Sequence, residues 1–181
     1  NLSSMVTAFL NFARPQPLQV EEVSLKELLE DSGKELEPLF RELRVNLTIE
    51  APTDFVVPAD ERMLRQSLLN ILRNGAEAIG DDSKQRLVKS RLFSEHDDQG
   101  VEWRVIEVKD TGVGIPAAQL RKLFIPFFTT KPKGHGVGLA LTHRIISQHG
   151  GTLTALNSPD GGAVFTIKLP GTAGQAGESS S

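Results

Sequence analysis

Two pairs of strand-like segments, each joined by a short polar turn, constrain the fold of this chain more than any other feature. The first pair lies near residues 86–94 and 101–109 around the turn EHDDQG, and the second pair, 152–157 and 163–169, is joined by SPDGG. Such segments with short turns predict antiparallel hairpins. Helix-periodic segments separate the two pairs, and this interleaving indicates an α+β fold with helices on one face of a sheet.

Helical segments alternate with these strands. Ser24 and Glu27 form a capping box that opens a helix whose apolar residues extend to Phe40. Asp60 caps a second helix that runs to about Ile79. The other predicted elements are a strand at 45–51, a short helix at 117–124 and a helix that starts in GHGVGLAL, residues 134–141. Together they predict a two-layer α/β sandwich with a mixed five-stranded sheet and about three helices on one face.

Composition excludes several classes of protein. With 39% hydrophobic residues among 181, the chain can form a core, and no apolar run approaches the roughly 20 residues that span a membrane. A net charge of −3 and an isoelectric point near 5.8 give no general attraction to nucleic acid. Cysteine is absent, which excludes disulfides and thiolate metal sites. We expect a globular domain with no nucleic-acid partner.

The two ends of the chain differ from its body. Residues 1–15 place apolar side chains along one side of a helix and end in proline, so this helix is expected to pack on another part of a longer protein or on a second copy. Folding back onto the domain is the alternative. Residues 16–23 are assigned to a linker, 24–170 to the main domain, and 171–181, which are small and polar, to a disordered tail.

Two asparagines break the usual pattern of an exposed helix face. Asn70 and Asn74 lie one turn apart on the side of the 60–79 helix opposite its leucines, and Gly75 follows them. Relative to alanine, each asparagine costs a helix roughly 0.5 kcal/mol and the glycine about 1 kcal/mol. A hard cation such as Mg²⁺, bound together with phosphate oxygens, would offset this cost. A solvated face without function is the alternative.

An aspartate ends the apolar face of a predicted strand. In VIEVKDTGVGIP, Asp110 has the same parity as Ile106 and Val108, which predicts that its carboxylate is at least partly buried. A buried carboxylate requires donors, such as capping amides, an arginine or a ligand amine. Gly112 and Gly114 let the backbone approach a ligand, although a tight turn beside an incidental aspartate explains them equally well.

Gly134, Gly136 and Gly138 lead directly into the last predicted helix. Their bare backbone leaves amide groups open at a helix N-terminus, where unpaired N–H groups and the helix dipole attract phosphate. Lys131 and Lys133 precede this stretch and are either cations for terminal phosphates or ordinary solvated lysines. The spacing differs from that of a P-loop or a dinucleotide fingerprint. The stretch therefore predicts a phosphate cradle of another type.

Five pieces of sequence follow one another in a specific order: the helix with Asn70 and Asn74, then DTGVGIP, LFIPFFTTK, GHGVGLAL and GGAVF. Over about residues 22–170 they resemble the ATP-binding catalytic domain of bacterial sensor histidine kinases, in the GHKL superfamily. The PFFTTKPKGHG segment is most similar to that of the nitrogen-regulatory and oxygen-sensing kinases. The resemblance implies the Bergerat ATP-binding fold with ATP and Mg²⁺ as cofactors. It also makes residues 1–15 the end of a dimerisation and phosphoacceptor helix.

The resemblance implies roles for individual residues. Asn74 would be the Mg²⁺ ligand, Asn70 would lie near the phosphates, and Asp110 would accept a hydrogen bond from the adenine amino group. Lys131 would be the cation of the lid. Many of these kinases have a lysine where this chain has Glu77, so further cationic help must come from elsewhere. The other positions of the implied nucleotide site and lid are Gly112, Gly114, Ile115, Phe124, Phe127, Phe128, Gly134, Gly136, Val137, Gly138 and Leu139.

One position distinguishes enzyme classes within this superfamily. The gyrase, mismatch-repair and heat-shock ATPases have a glutamate base four residues before the magnesium asparagine, where this chain has Asn70. An amide cannot take up a proton at neutral pH, so hydrolysis should be slow and the γ-phosphoryl group would pass to a histidine.

The resemblance implies partners outside this sequence. No phosphoacceptor motif precedes the domain, so the acceptor histidine would lie on the upstream dimerisation domain of a homodimeric parent. That histidine would then phosphorylate the receiver domain of a response regulator. The expected location of the domain is cytoplasmic, whether or not the parent is anchored in the inner membrane. Three alternatives stay open: an anti-sigma-type serine kinase, a hydrolytic ATPase, and a scaffolding domain that binds no nucleotide.

Overall fold

A computed structural model describes residues 17–126 and 138–171. Within these ranges the chain forms seven strands and five helices. The strands are β1 (Glu21–Ser24), β2 (Asn46–Glu50), β3 (Val56–Ala59), β4 (Leu87–His96), β5 (Glu102–Asp110), β6 (Thr152–Asn157) and β7 (Ala163–Pro170). The helices are α1 (Leu25–Glu35), α2 (Glu37–Leu43), α3 (Glu61–Glu77), α4 (Ala117–Leu120) and α5 (Gly138–Gln148).

Five of the strands form one mixed sheet in the order β2-β4-β5-β7-β6. β2 runs parallel to β4, whereas the other neighbours are antiparallel. Both predicted hairpins are present: β4 pairs with β5 with Val88 opposite Asp110, and β6 pairs with β7 with Leu153 opposite Ile167. The predicted mixed five-stranded sheet is therefore confirmed.

The sheet buries one of its two faces. Val88, Ile106 and Ile167 point to this face and are fully buried; each such side chain stabilises the fold by about 1.5–3 kcal/mol. The opposite face carries ion pairs, such as the one between Lys89 and Glu50, whose Nζ and Oε1 atoms are 3.0 Å apart. Helices α1, α3 and α5 pack together on the apolar face and share its core. This arrangement confirms the predicted α+β sandwich.

Helix α3 is the central helix of this layer. The Asp60 carboxylate accepts a hydrogen bond from the Met63 backbone N–H at 3.1 Å, which confirms the predicted N-cap. Gly75 lies against Val88, since a Cβ added to the glycine would be 3.3 Å from a methyl group of that valine. The large apolar side chains that α3 buries completely are Leu64, Leu68, Ile71 and Leu72.

Leu36 separates α1 from α2, where the sequence pattern predicts one continuous helix. The Ser24 half of the predicted capping box is present at the start, because Ser24 Oγ accepts a hydrogen bond from the Glu27 N–H at 3.2 Å. Pro38 has no N–H to bond the Lys34 carbonyl, so it stands in the first turn of a new helix. Apolar spacing continues across the break, and periodicity alone does not reveal it.

A second, two-stranded sheet is not among the predicted elements. β1 pairs antiparallel with β3, with Glu21 opposite Ala59 and Ser24 opposite Val56. Through this pairing, residues 21–23, which fall in the linker predicted at 16–23, are attached to the domain. Each strand has only four residues, too few for an alternating pattern to be recognised.

Three further predictions concern the connecting and terminal segments. The helix predicted at 117–124 is shorter in the structure, where α4 covers Ala117–Leu120 and turns follow to residue 126. The predicted N-terminal helix, 1–15, and nearly all of the predicted tail lie outside the described residues. Among the helices that are described, none has the length and apolar character to cross a membrane.

Candidate functional site

Asn70 lies where α3 packs against the beginning of α5. Its Nδ2 donates a hydrogen bond to Thr142 Oγ1 at 3.0 Å. A Cβ added to Gly138, the first residue of α5, would lie 2.8 Å from Asn70 Oδ1. The asparagine amide thus occupies the space that a side chain at 138 would need. The structure brings together Asn70 and Gly138, two of the residues predicted to lie near phosphate.

Asp110 ends β5 and is buried, as its position on the strand predicts. The residue is 2% exposed, and its Oδ1 accepts hydrogen bonds from the backbone N–H groups of Gly112 at 2.8 Å and Ala163 at 3.2 Å. Burial raises the pKa of the Asp110 carboxyl, and these two hydrogen bonds oppose the shift. Within the described part of the chain both bonds end on Oδ1, which leaves Oδ2 to accept from a ligand.

The loop after β5 packs directly on α3. A Cβ on Gly112 would lie 2.4 Å from the Ala78 carbonyl oxygen and 3.0 Å from Asp110 Oδ1, so a larger residue cannot be placed there without a shift. A Cβ on Gly75 would lie 3.8 Å from the Asp110 Cβ. Asp110 is therefore beside the turn of α3 that contains Asn74.

Helix α3 runs past two chemically different groups of residues, which we call the two ends of the candidate cleft. Asp110 lies beside Gly75, and Gly138 lies beside Asn70. The five steps from Asn70 to Gly75 advance about 7.5 Å along the helix. One end offers a carboxylate acceptor, and the other offers an amide and the N-terminus of α5, which attracts anions. Such a cleft suits an elongated ligand with an amine at one end and phosphate at the other.

Gly162 belongs to the site, although the sequence pattern marks it only as a turn residue. Its φ is +80°, and a Cβ there would lie 2.0 Å from the Asp110 backbone oxygen. This contact holds the start of β7 against the end of β5, where the Ala163 N–H reaches the carboxylate. The sequence feature that could have identified Gly162 as a site residue is its position as the second glycine of SPDGG.

Asn157 holds the backbone of the DTGVGIP loop and is another site residue that sequence reasoning missed. Its Oδ1 accepts a hydrogen bond from the Ile115 N–H, and its Nδ2 donates one to the Ile115 carbonyl, both at 2.7 Å. Gly114 has a φ of +82°, and a Cβ there would lie 2.9 Å from Asn157 Oδ1. Glycine at 114 is thus required by both conformation and space.

Phe124 lies at the beginning of the predicted lid. Its ring stacks on that of His143 in α5, with centroids 4.9 Å apart and an angle of 22° between the planes. Leu139, in the first turn of α5, is partly buried against the core. The predicted site and lid residues that lie outside the described residues are Phe127, Phe128, Lys131, Gly134, Gly136 and Val137.

The donor atoms on α3 fit a hard cation that is carried with phosphate. Asn70 and Asn74 are both half-buried and have amide oxygens. In residues 17–126 and 138–171, no three His, Cys, Asp or Glu side chains are grouped to hold a metal ion. Mg²⁺ typically takes one or two protein ligands and completes its coordination with phosphate oxygens and water. The residues present therefore fit magnesium bound together with a nucleotide.

The fold and this cleft define a nucleotide-binding domain of the GHKL type. The sequence matches the protein family described as "Histidine kinase-, DNA gyrase B-, and HSP90-like ATPase" over residues 59–173, more than half of the chain. The chain belongs to this family.

Curated relatives place the chain among the histidine kinases of this family. The "Signal transduction histidine-protein kinase AtoS" of Escherichia coli (strain K12) is 35% identical over 171 residues, 94% of this chain and 27% of the relative. The "Sensor histidine kinase ZraS" of the same organism is 37% identical over 171 residues, 93% of this chain and 35% of the relative. The chain thus spans about a quarter to a third of the length of these relatives.

Solved structures with the same fold are also histidine kinases. The nucleotide-free catalytic domain of ThkA matches with a TM-score of 0.72 and 30% identity, over 87% of this chain and 99% of that one. Full-length ShkA in complex with AMPPNP matches with a TM-score of 0.75 and 26% identity, over 93% of this chain and 35% of that one. ThkA in complex with the response regulator protein TrrA matches with a TM-score of 0.74 and 28% identity, over 94% of this chain and 47% of that one. The predicted assignment to the catalytic domain of sensor histidine kinases is confirmed.

Proposed function

We propose that this chain binds magnesium-ATP in the cleft formed by α3, α5 and the loop after β5. We further propose that it donates the γ-phosphoryl group to a histidine on another domain of its parent protein. The observation that carries the proposal is the buried carboxylate of Asp110, which uses one oxygen for two backbone N–H groups and leaves the other to a ligand amine.

Asp110 would select adenine at the base end of the candidate cleft. The adenine amino group donates a hydrogen bond to the carboxylate, whereas hypoxanthine and guanine have a carbonyl oxygen at the same position, which the carboxylate repels. A site built to pair with a ligand N–H rejects an analogue that lacks it, because the buried polar group is then left unpaired. Gly112, Gly114 and Ile115 would line this end through their backbone.

The other end of the cleft would hold the triphosphate. Asn74 would bind Mg²⁺, which neutralises phosphate charge when bound, and the open amides at the start of α5 would contact the phosphates. Asn70 cannot act as a base, because an amide does not take up a proton at neutral pH. The proposed positions that complete this end are Phe127, Lys131, Gly134, Gly136, Val137, Gly138 and Leu139.

The proposed phosphoryl acceptor is a histidine outside this sequence. Supporting observations are that the relatives are histidine kinases several times longer than this chain and that ThkA has been solved with a response regulator. We propose a homodimeric parent that phosphorylates its own dimerisation domain and then a receiver domain. We place the reaction in the cytoplasm, where ATP is supplied.

Titration calorimetry with ATP and ITP in the presence of Mg²⁺ tests the base end of this site. The wild-type chain should bind ATP about tenfold more tightly than ITP, or better, because ITP lacks the amino group. Asp110→Asn should weaken ATP binding by a similar factor and abolish the preference for ATP. Asp98→Asn, in the exposed turn between β4 and β5, is the matched control and should change neither value. Equal affinity of the wild-type chain for ATP and ITP would contradict the proposal.

Urea unfolding of the nucleotide-free chain shows whether the variant keeps its fold. Burial raises the pKa of Asp110 in the folded state, so the stability this group contributes is fully present below its unfolded pKa, about 3.9, and is lost as the pH rises through the folded pKa. Asp110→Asn removes this loss and keeps an oxygen for the two backbone donors. The variant should therefore be at least as stable as the wild type at pH 7, and its relative advantage should shrink as the pH falls.

A further inference from the structure

We propose that Thr142 is a positioning residue for the phosphate end of the site. Its hydroxyl holds the Asn70 side-chain amide with the oxygen directed toward the first residue of α5. The expected effect on magnesium-nucleotide binding rests on the proposed function, whereas the orientation of the amide can be measured in the nucleotide-free chain.

The single proton of the Thr142 hydroxyl is already in use. Thr142 Oγ1 lies 2.8 Å from the Gly138 carbonyl oxygen one turn earlier, and a carbonyl oxygen can only accept. In its second hydrogen bond Thr142 Oγ1 must therefore accept, and the donor is Asn70 Nδ2 at 3.0 Å. Thr142 is 2% exposed, so water has little access to replace either partner.

This pair of hydrogen bonds decides which way the Asn70 amide points. A rotated amide would place its oxygen against a hydroxyl oxygen whose proton is directed to Gly138. The orientation with Nδ2 on Thr142 makes Oδ1 the amide atom nearest Gly138, since a Cβ there would be 2.8 Å from Oδ1 and 3.1 Å from Nδ2. The amide then presents an oxygen to the phosphate end of the cleft. An oxygen there suits a cation or its bound water and repels a bare phosphate oxygen.

Removal of the hydroxyl should release the amide without changing the shape of the core. Thr142→Val keeps the branched side chain but offers Asn70 no acceptor, so Nδ2 would lose a buried partner and the amide could turn its N–H groups toward phosphate. Thr142→Ser keeps the hydroxyl and should behave as the wild type. A purely structural role of Thr142 would change stability, and it would not change how much magnesium strengthens nucleotide binding.

Ser147→Ala is the matched control on the same helix. Ser147 Oγ donates to the His143 carbonyl oxygen at 2.8 Å, which is the same kind of bond one turn back along α5. Because Ser147 is exposed, this variant removes such a bond without touching Asn70.

Two measurements test the proposal. Calorimetry with ADP should show that Thr142→Val weakens binding about three- to tenfold in Mg²⁺ and does not weaken binding in EDTA, while Thr142→Ser and Ser147→Ala match the wild type. In ¹⁵N–¹H NMR spectra of the nucleotide-free chain, the side-chain amide of Asn70 should shift and its protons should exchange faster in Thr142→Val.

The outcomes separate this inference from the proposed function. If the wild-type chain binds no nucleotide, the proposed function fails, and the NMR comparison still decides the orientation of Asn70. Unchanged Asn70 amide signals in Thr142→Val would overturn the inference, as would an equal loss of affinity with and without Mg²⁺. If Thr142→Val does not fold, the exchange rate of the side-chain amide protons is compared in the wild type between Asn70 and the exposed Asn46. Equally fast exchange at the two asparagines would overturn the inference.

Discussion

His149 joins the end of α5 to the start of α3. Its Nε2 accepts a hydrogen bond from the Asp60 backbone N–H at 3.0 Å, and its Nδ1 therefore carries the proton and donates to the Ile145 carbonyl oxygen at 2.7 Å. Both His149 and Asp60 are buried, at 8% and 5% exposed. Replacing His149 with alanine removes both hydrogen bonds and leaves the Asp60 N–H buried without its partner.

The expected loss of stability follows from these contacts. A buried N–H without a partner costs about 1–3 kcal/mol, and the lost bond to Ile145 adds about 0.5–1.5 kcal/mol. We therefore expect His149→Ala to lower the free energy of unfolding by about 3 kcal/mol. With a urea dependence of about 2 kcal/mol per molar, the midpoint of unfolding should fall by about 1.5 M.

Urea titrations of His149→Ala and of the control His96→Ala measure this difference. His96 ends β4 and is exposed, so its replacement should change the free energy of unfolding by less than about 0.5 kcal/mol. Asp60 precedes Asn70 by ten residues, about 15 Å along α3, and nucleotide affinity of the folded variant should stay near that of the wild type. Equal midpoints for the two variants would refute the reasoning.

Two other substitutions test separate parts of the site. Gly162→Ala should lower stability by about 2 kcal/mol or more in thermal melts, because its Cβ would meet the Asp110 carbonyl oxygen at a positive φ. The control Gly161→Ala is also at positive φ but has open space around it, so it should lower stability clearly less. Equal losses of stability in the two variants would refute the importance of the contact. Asn70→Glu should raise the rate of phosphate release from ATP by supplying a base, whereas Gln66→Glu, one turn earlier on α3, should not. An unchanged rate in Asn70→Glu that still binds ATP would contradict the role given to this position.

Local patterns were sufficient to predict the elements that carry the site. The burial of Asp110 follows from its parity with Ile106 and Val108, because side chains alternate between the faces of a strand. The extent of α3 follows from its cap and its apolar stripe. The single continuous helix predicted up to Phe40 is wrong, because the apolar spacing continues across the break at Leu36 and does not reveal it.

The contacts that complete the site could not be predicted, because they depend on tertiary packing. Thr142 meets Asn70 across 72 positions of sequence, and Asn157 meets Ile115 across 42. Neither residue is unusual in its own segment: a threonine in a helix or an asparagine at a strand end is ordinary. Gly162 carries a local signal, but a hairpin turn accounts for a glycine equally well.

The two ends of the cleft are held by different kinds of structure, and this difference predicts different consequences of mutation. At the base end, Gly112 and Gly162 pack backbone against backbone around Asp110, so a substitution there must move a strand or helix and change stability together with base selectivity. At the phosphate end, within residues 17–126 and 138–171, one hydrogen bond between side chains holds Asn70. Its loss can reorient the amide without moving the backbone. Gly162→Ala should therefore lower stability and weaken nucleotide binding with and without magnesium, whereas Thr142→Val should weaken binding only in magnesium.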